Sequence, residues 1–70
     1  MHLPKSVVIG GRRIPLRVDG EIDDYGQYYS GECKILISAK ILDKPQMVRE
    51  TLRHEMMHAA LDLAGYRRKN

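Results

Sequence analysis

Tryptophan and phenylalanine are absent from this chain, and its four aromatic residues are all tyrosines. Any core must therefore be built mainly from aliphatic side chains. The basic clusters, Arg12-Arg13 and Arg67-Arg68-Lys69, are not interleaved with aromatics, and no nucleic-acid-binding motif is present. They read as a charged hairpin turn and a solubilising tail. Cysteine is scarce as well: Cys33 stands alone, which excludes a disulfide within the chain. A lone thiol, with no apolar h-region in Met1-His2-Leu3-Pro4-Lys5, leads to the expectation of a reducing, cytoplasmic setting. No apolar run approaches the roughly 20 residues that span a bilayer, so no membrane partner is expected. Charge of one sign is not in large excess either; 12 basic against 9 acidic residues leave a formal charge of +3.

What remains is a chain of 70 residues, enough for one domain over 1–70. A domain of this size buries only about 60% of the surface its unfolded chain exposes. Thin cores of this kind often lean on a metal or on a partner chain.

The first half has the period of strands. Ser6-Val7-Val8-Ile9 is a short β-branched run, and Gly10-Gly11 suits a tight hairpin because both residues accept positive φ. From Arg12 to Val18 the pattern alternates, with Ile14, Leu16 and Val18 on one face. Pro15 lacks a donor, which predicts an edge position for this strand. Residues 19–24 are polar and read as a loop. Tyr25–Tyr29 and Cys33–Ser38 read as a second hairpin, joined by Ser30-Gly31-Glu32.

The second half changes period. Asp43 is a candidate N-cap and Pro45 falls in the first helical turn, where its missing N–H is not needed. No Gly or Pro follows until Gly65, so one helix over about 44–64 is predicted, ahead of a basic tail at 66–70. Val48, Leu52, Met56, Ala59, Ala60 and Leu63 form its main apolar side. Met47, Met57 and Leu61 make a second one, as in a helix covered on two faces.

Within that helix lies His54-Glu55-Met56-Met57-His58, an HExxH sequence. Residues four apart sit one above the other, about 6 Å along the axis. Two imidazoles so placed can converge on one zinc ion at about 2.0–2.1 Å from each nitrogen. Glu55, one residue after the first ligand, projects beside the metal and can act as general base toward a zinc-bound water. The expected ligands are thus His54 and His58, the catalytic residue Glu55, and the cofactor Zn2+.

The stretch from Glu50 to Gly65 resembles the active-site helix of the HExxH zincin metallopeptidases. It is most similar to small phage- and mobile-element-associated zincins, of the ImmA/IrrE-like or minimal gluzincin-like groups. Those groups place an antiparallel sheet before the helix, with a strand similar to Gly31–Ser38. The resemblance implies a zincin-like half-domain whose edge strand pairs with an extended peptide or protein substrate. It implies His54 and His58 as ligands and Glu55 as base, and no other residue.

A hydrolytic zinc site normally has a third protein ligand. Six residues after the second His, where metzincin-like families carry it, stands Ala64, and Leu61 occupies the place of their helix-breaking Gly. Gluzincin-like families carry it on a following helix, whereas Asn70 lies only twelve residues after His58. Asp62 has its Cα about 12 Å along the axis from His54, which suits orienting the ring of His58 better than ligation, and a helix-surface carboxylate is the simpler reading still. Cys33 could ligate as a thiolate if the sheet edge overlies the helix, although a buried strand cysteine is the simpler reading. His2, Asp23, Asp24 and Glu32 are terminal, loop and turn residues. A second copy of the chain could also supply the ligand. Tyr66 could serve an oxyanion or pack past the helix end, and Tyr25, Tyr28 and Tyr29 could line a peptide groove or fill the core.

The expected fold is α+β, an antiparallel sheet of three or four strands over about 5–38 followed by the long helix. The expected activity is zinc-dependent peptide hydrolysis. A degenerate zincin acting as a binding or regulatory module is the first alternative, and a basic nucleic-acid-associated accessory protein the second.

Overall fold

The computed structural model describes residues 3–65. Four strands precede one helix: β1 (Ser6–Ile9), β2 (Arg12–Asp19), β3 (Gly26–Tyr29), β4 (Lys34–Ser38) and α1 (Pro45–Leu63). A single turn of 3-10 helix, Ala39–Ile41, links β4 to α1 and was not anticipated. The fold is α+β, as expected. No helix among the described residues is long and apolar enough to cross a membrane.

Gly10 and Gly11 both take positive φ, at 58° and 81°, and close the β1–β2 hairpin as their sequence predicts. The strand order is β1-β2-β4-β3. The expectation of antiparallel pairing holds for β1–β2 and β3–β4, but β2 and β4 run parallel. The cause is the connection: after β2 the chain crosses to the far edge, forms β3, and returns through a hairpin so that β4 fills the gap.

That arrangement corrects the expected place of β2, which is interior rather than an edge. Its first half, Arg12–Pro15, pairs with β1, and its second half, Leu16–Asp19, pairs with β4. Pro15 stands where one ladder hands over to the other. Leu16 donates its N–H to Lys5 on the β1 side, so by alternation the nitrogen of Pro15 faces the β4 side, one residue before pairing with β4 begins. Its missing donor therefore falls where no ladder bond is made.

The helix covers one face of the sheet. Ile14, Leu16, Ile35 and Ile37 alternate inward and meet Val48 and Ala59 of α1, with Ile41 closing one end. Met47, Leu52, Met56 and Leu63 pack around them, while Ala60 is exposed instead of joining the packed side. On the opposite sheet face Val8 is 62% exposed, whereas Leu36, which alternates with Ile35 and Ile37, is buried. Met57 and Leu61, the second apolar side of α1, are likewise about half exposed.

Two boundaries differ from expectation. The N-cap of α1 is Lys44, without a side-chain cap, whereas Asp43 is turned to an ion pair with Lys44 at 3.2 Å. Cys33 is not in β4. It ends the hairpin loop with φ 51°, a left-handed conformation that a strand cannot contain. The C-terminal stop is as expected: Gly65 has φ 87° and donates to the carbonyl of Asp62.

Candidate metal centre

α1 presents His54 and His58 on one exposed face, one turn apart. Their Nε2 atoms face each other at 3.0 Å, with ring centroids 4.6 Å apart and ring planes nearly perpendicular. An ion at about 2.0–2.1 Å from both nitrogens would sit at an N–metal–N angle of about 94°, and a tetrahedral angle needs only about 3.3 Å between the nitrogens. A few tenths of an ångström of ring motion separates the two. That separation is compatible with one ion between the two nitrogens, and it is equally the length of a hydrogen bond from one ring to the other.

Glu55 lies on the adjoining side of the helix, against β3, and is 8% exposed. Among the described residues no hydrogen bond or ion pair reaches its carboxylate, and neither oxygen is sealed from solvent. The carboxylate opens instead into a groove between α1 and β3. Gly26 is what lets strand and helix approach there. A Cβ on Gly26 would meet Thr51 Cγ2 at 2.6 Å, the carbonyl oxygen of Leu36 at 3.1 Å and Glu55 Cγ at 3.3 Å. Sequence reasoning passed over Gly26, although a glycine inside the Tyr25–Tyr29 strand is a known sign of close backbone approach.

The groove has two lobes on either side of Glu55, of about 900 and 410 Å3. His58, Asp62 and Leu61 border the larger, and His54, Thr51 and Glu50 border the smaller. Tyr28 and Tyr29 line the first lobe and Tyr25 the second. The tyrosines thus stand on the groove wall, with Tyr28 also packed against the core.

Asp62 is tied across the groove. Tyr28 Oη donates to Asp62 Oδ2 at 2.8 Å, joining β3 to the last turn of α1. Burial, then the Asp62 carboxylate, then the Cys33 side chain, push the Tyr28 phenol up to about 12. This tie between strand and helix was not foreseen, because nothing in the sequence pairs residues 34 positions apart. Cys33 Sγ points back to the Ser30 carbonyl at 3.6 Å. Glu32 pairs with Lys34 at 2.8 Å, and Asp24 accepts from Gln27 at 3.3 Å.

Among the described residues, no group of three or more His, Cys, Asp and Glu side chains is placed to hold a metal. Cys33, Asp23, Asp24, Glu32 and Asp62 therefore do not complete the His54–His58 pair. His2, Tyr66 and the basic residues 67–69 lie outside the described residues. Comparison with known proteins found no matching family model, curated protein or solved structure.

Proposed function

We propose that this chain is a zinc-dependent, metallopeptidase-like protein that hydrolyses peptide bonds. The observation that carries the reading is the geometry of one helix: two imidazole nitrogens 3.0 Å apart beside a buried carboxylate that opens into a groove. In this reading His54 and His58 hold the ion through Nε2, and zinc, when bound, supplies the Lewis acidity that acidifies water and polarises a carbonyl. Glu55 accepts the proton of the attacking water and passes it to the leaving amine. Its seat against Gly26 keeps the carboxylate beside the ligands rather than between them. Among the described residues β3 pairs only with β4, so its other edge is where an extended substrate would add as a further strand along the groove.

One observation favours a second reading. No third donor joins the histidines among the described residues. A zincin-like module that captures a peptide without cutting it, or one completed by a second copy of the chain, would have this arrangement. The discriminating experiment is cleavage of a mixed peptide pool by zinc-loaded protein, compared with Glu55→Gln at equal zinc content. Hydrolysis that disappears in Glu55→Gln supports the peptidase. Hydrolysis that survives removes the role given to Glu55. No hydrolysis by either, with peptide still bound, favours the capture module.

A further inference from the structure

The chain as a whole is basic, with a formal charge of +3, yet its groove is not. Asp24 and Glu55 line both lobes, Asp62 lines the larger and Glu50 the smaller. Among the described residues no Lys or Arg lines either lobe. Neither Asp24 nor Glu50 is in an ion pair among the described residues; Asp24 accepts only from the neutral amide of Gln27. A second feature points into the same space: the side chain of Glu55, a residue only 8% exposed, has no partner among the described residues and opens its carboxylate to the groove.

The groove also has a length. Thr51 and Asp62 are eleven residues apart on α1, about 16 Å along its axis, which matches about five residues of extended chain. Glu50 stands at one end of that span, Asp24 and Glu55 in the middle and Asp62 at the other.

We infer that the occupant is an extended polypeptide bearing Lys or Arg side chains, laid along the outer edge of β3 and selected by Asp24 and Glu50. This rests on the proposed peptide-binding reading of the groove and narrows its substrate class. The selection is local, because the net charge of the chain would by itself repel such a peptide. Backbone pairing with β3 supplies affinity for any strand, and the carboxylates discriminate between strands.

The test uses two labelled eight-residue peptides, both acetylated and amidated, with alternating Val and Thr and either two Lys or two Glu at the same positions. Binding to the full chain is read by fluorescence anisotropy, metal-free and with zinc, at low and at physiological salt. The Lys peptide is expected to bind several-fold more tightly than the Glu peptide, with the ratio shrinking as salt rises. Asp24→Asn and Glu50→Gln should each cut that ratio by roughly two- to fivefold, as expected for solvent-accessible charge pairs. Glu21→Gln, on an exposed loop that lines neither lobe, makes the same change in net charge and should leave the ratio alone. Equal binding of both peptides, preference for the Glu peptide, or an equal effect of Glu21→Gln would each overturn the inference. Selective binding without hydrolysis after zinc loading would remove the peptidase reading and leave this inference standing. Zinc-dependent hydrolysis of the pool with no charge preference would do the reverse.

Discussion

At the scale of the residue, Gly26 and Tyr28 set the geometry of the groove from its β3 wall. Gly26→Ala pushes a methyl group into Thr51 Cγ2, the Leu36 carbonyl and Glu55 Cγ at once, and two of these contacts involve atoms that cannot swing away easily. A loss of about 1–3 kcal/mol is expected in urea unfolding, the range for overpacking a tight contact. Adding Thr51→Ser removes the closest of the three atoms and should recover part of the loss; a strictly additive double variant would contradict the packing argument. Tyr28 makes a prediction about pH. Its folded phenol holds its proton to about 12, against 10.0 for the unfolded chain. Stability from this group is therefore whole below pH 10 and falls as pH rises from 10 to 12, where the unfolded state binds fewer protons than the native one. Tyr28→Phe should flatten that decline in alkaline unfolding curves, and absorbance titration should show one tyrosine ionising later than the others.

At the scale of the element, α1 is the part whose extent and side-chain spacing were legible in advance. The absence of Gly and Pro between Pro45 and Gly65 fixed its extent, and the spacing of His54 and His58 fixed which side chains meet, because both depend only on helical periodicity. The first hairpin was legible for the same reason, since Gly10-Gly11 and the Arg12–Val18 alternation are local signals. What could not be read was non-local. The parallel pairing of β2 with β4 depends on where the chain goes after Asp19, and the Tyr28–Asp62 bond joins elements that share no sequence pattern. Pro15 misled because its lack of a donor was assigned to a free edge, when it sits at the switch between two partners. Asp43 misled because the helix begins one residue later than its capping chemistry suggested. Lys44 holds the N-cap position with φ −124°, ψ 83° and no side-chain cap, so Lys44→Ser should gain about 0.5–1 kcal/mol of stability in thermal or urea unfolding. A neutral or negative change would mean that this N-terminus is satisfied in another way.

At the scale of the whole molecule, α1 on one face of a four-stranded sheet leaves a thin core: among the described residues, seven buried apolar side chains form its connected cluster. Such a domain gains much from any ligand that binds only the folded state. Zinc at about 100 times its dissociation constant should add about 2.7 kcal/mol, which for a chain of this size raises Tm on the order of 10 °C. The same addition should leave the Tm of His54→Ala unchanged. The central claim is that His54 and His58 close on one divalent cation, and the most direct measurement of it is calorimetric titration of chelator-stripped protein with zinc under reducing conditions. The account expects saturation near one ion per chain in the native sequence and no saturable binding in either His54→Ala or His58→Ala. A native chain that takes up no zinc, or variants that bind it as well as the native chain does, would contradict it.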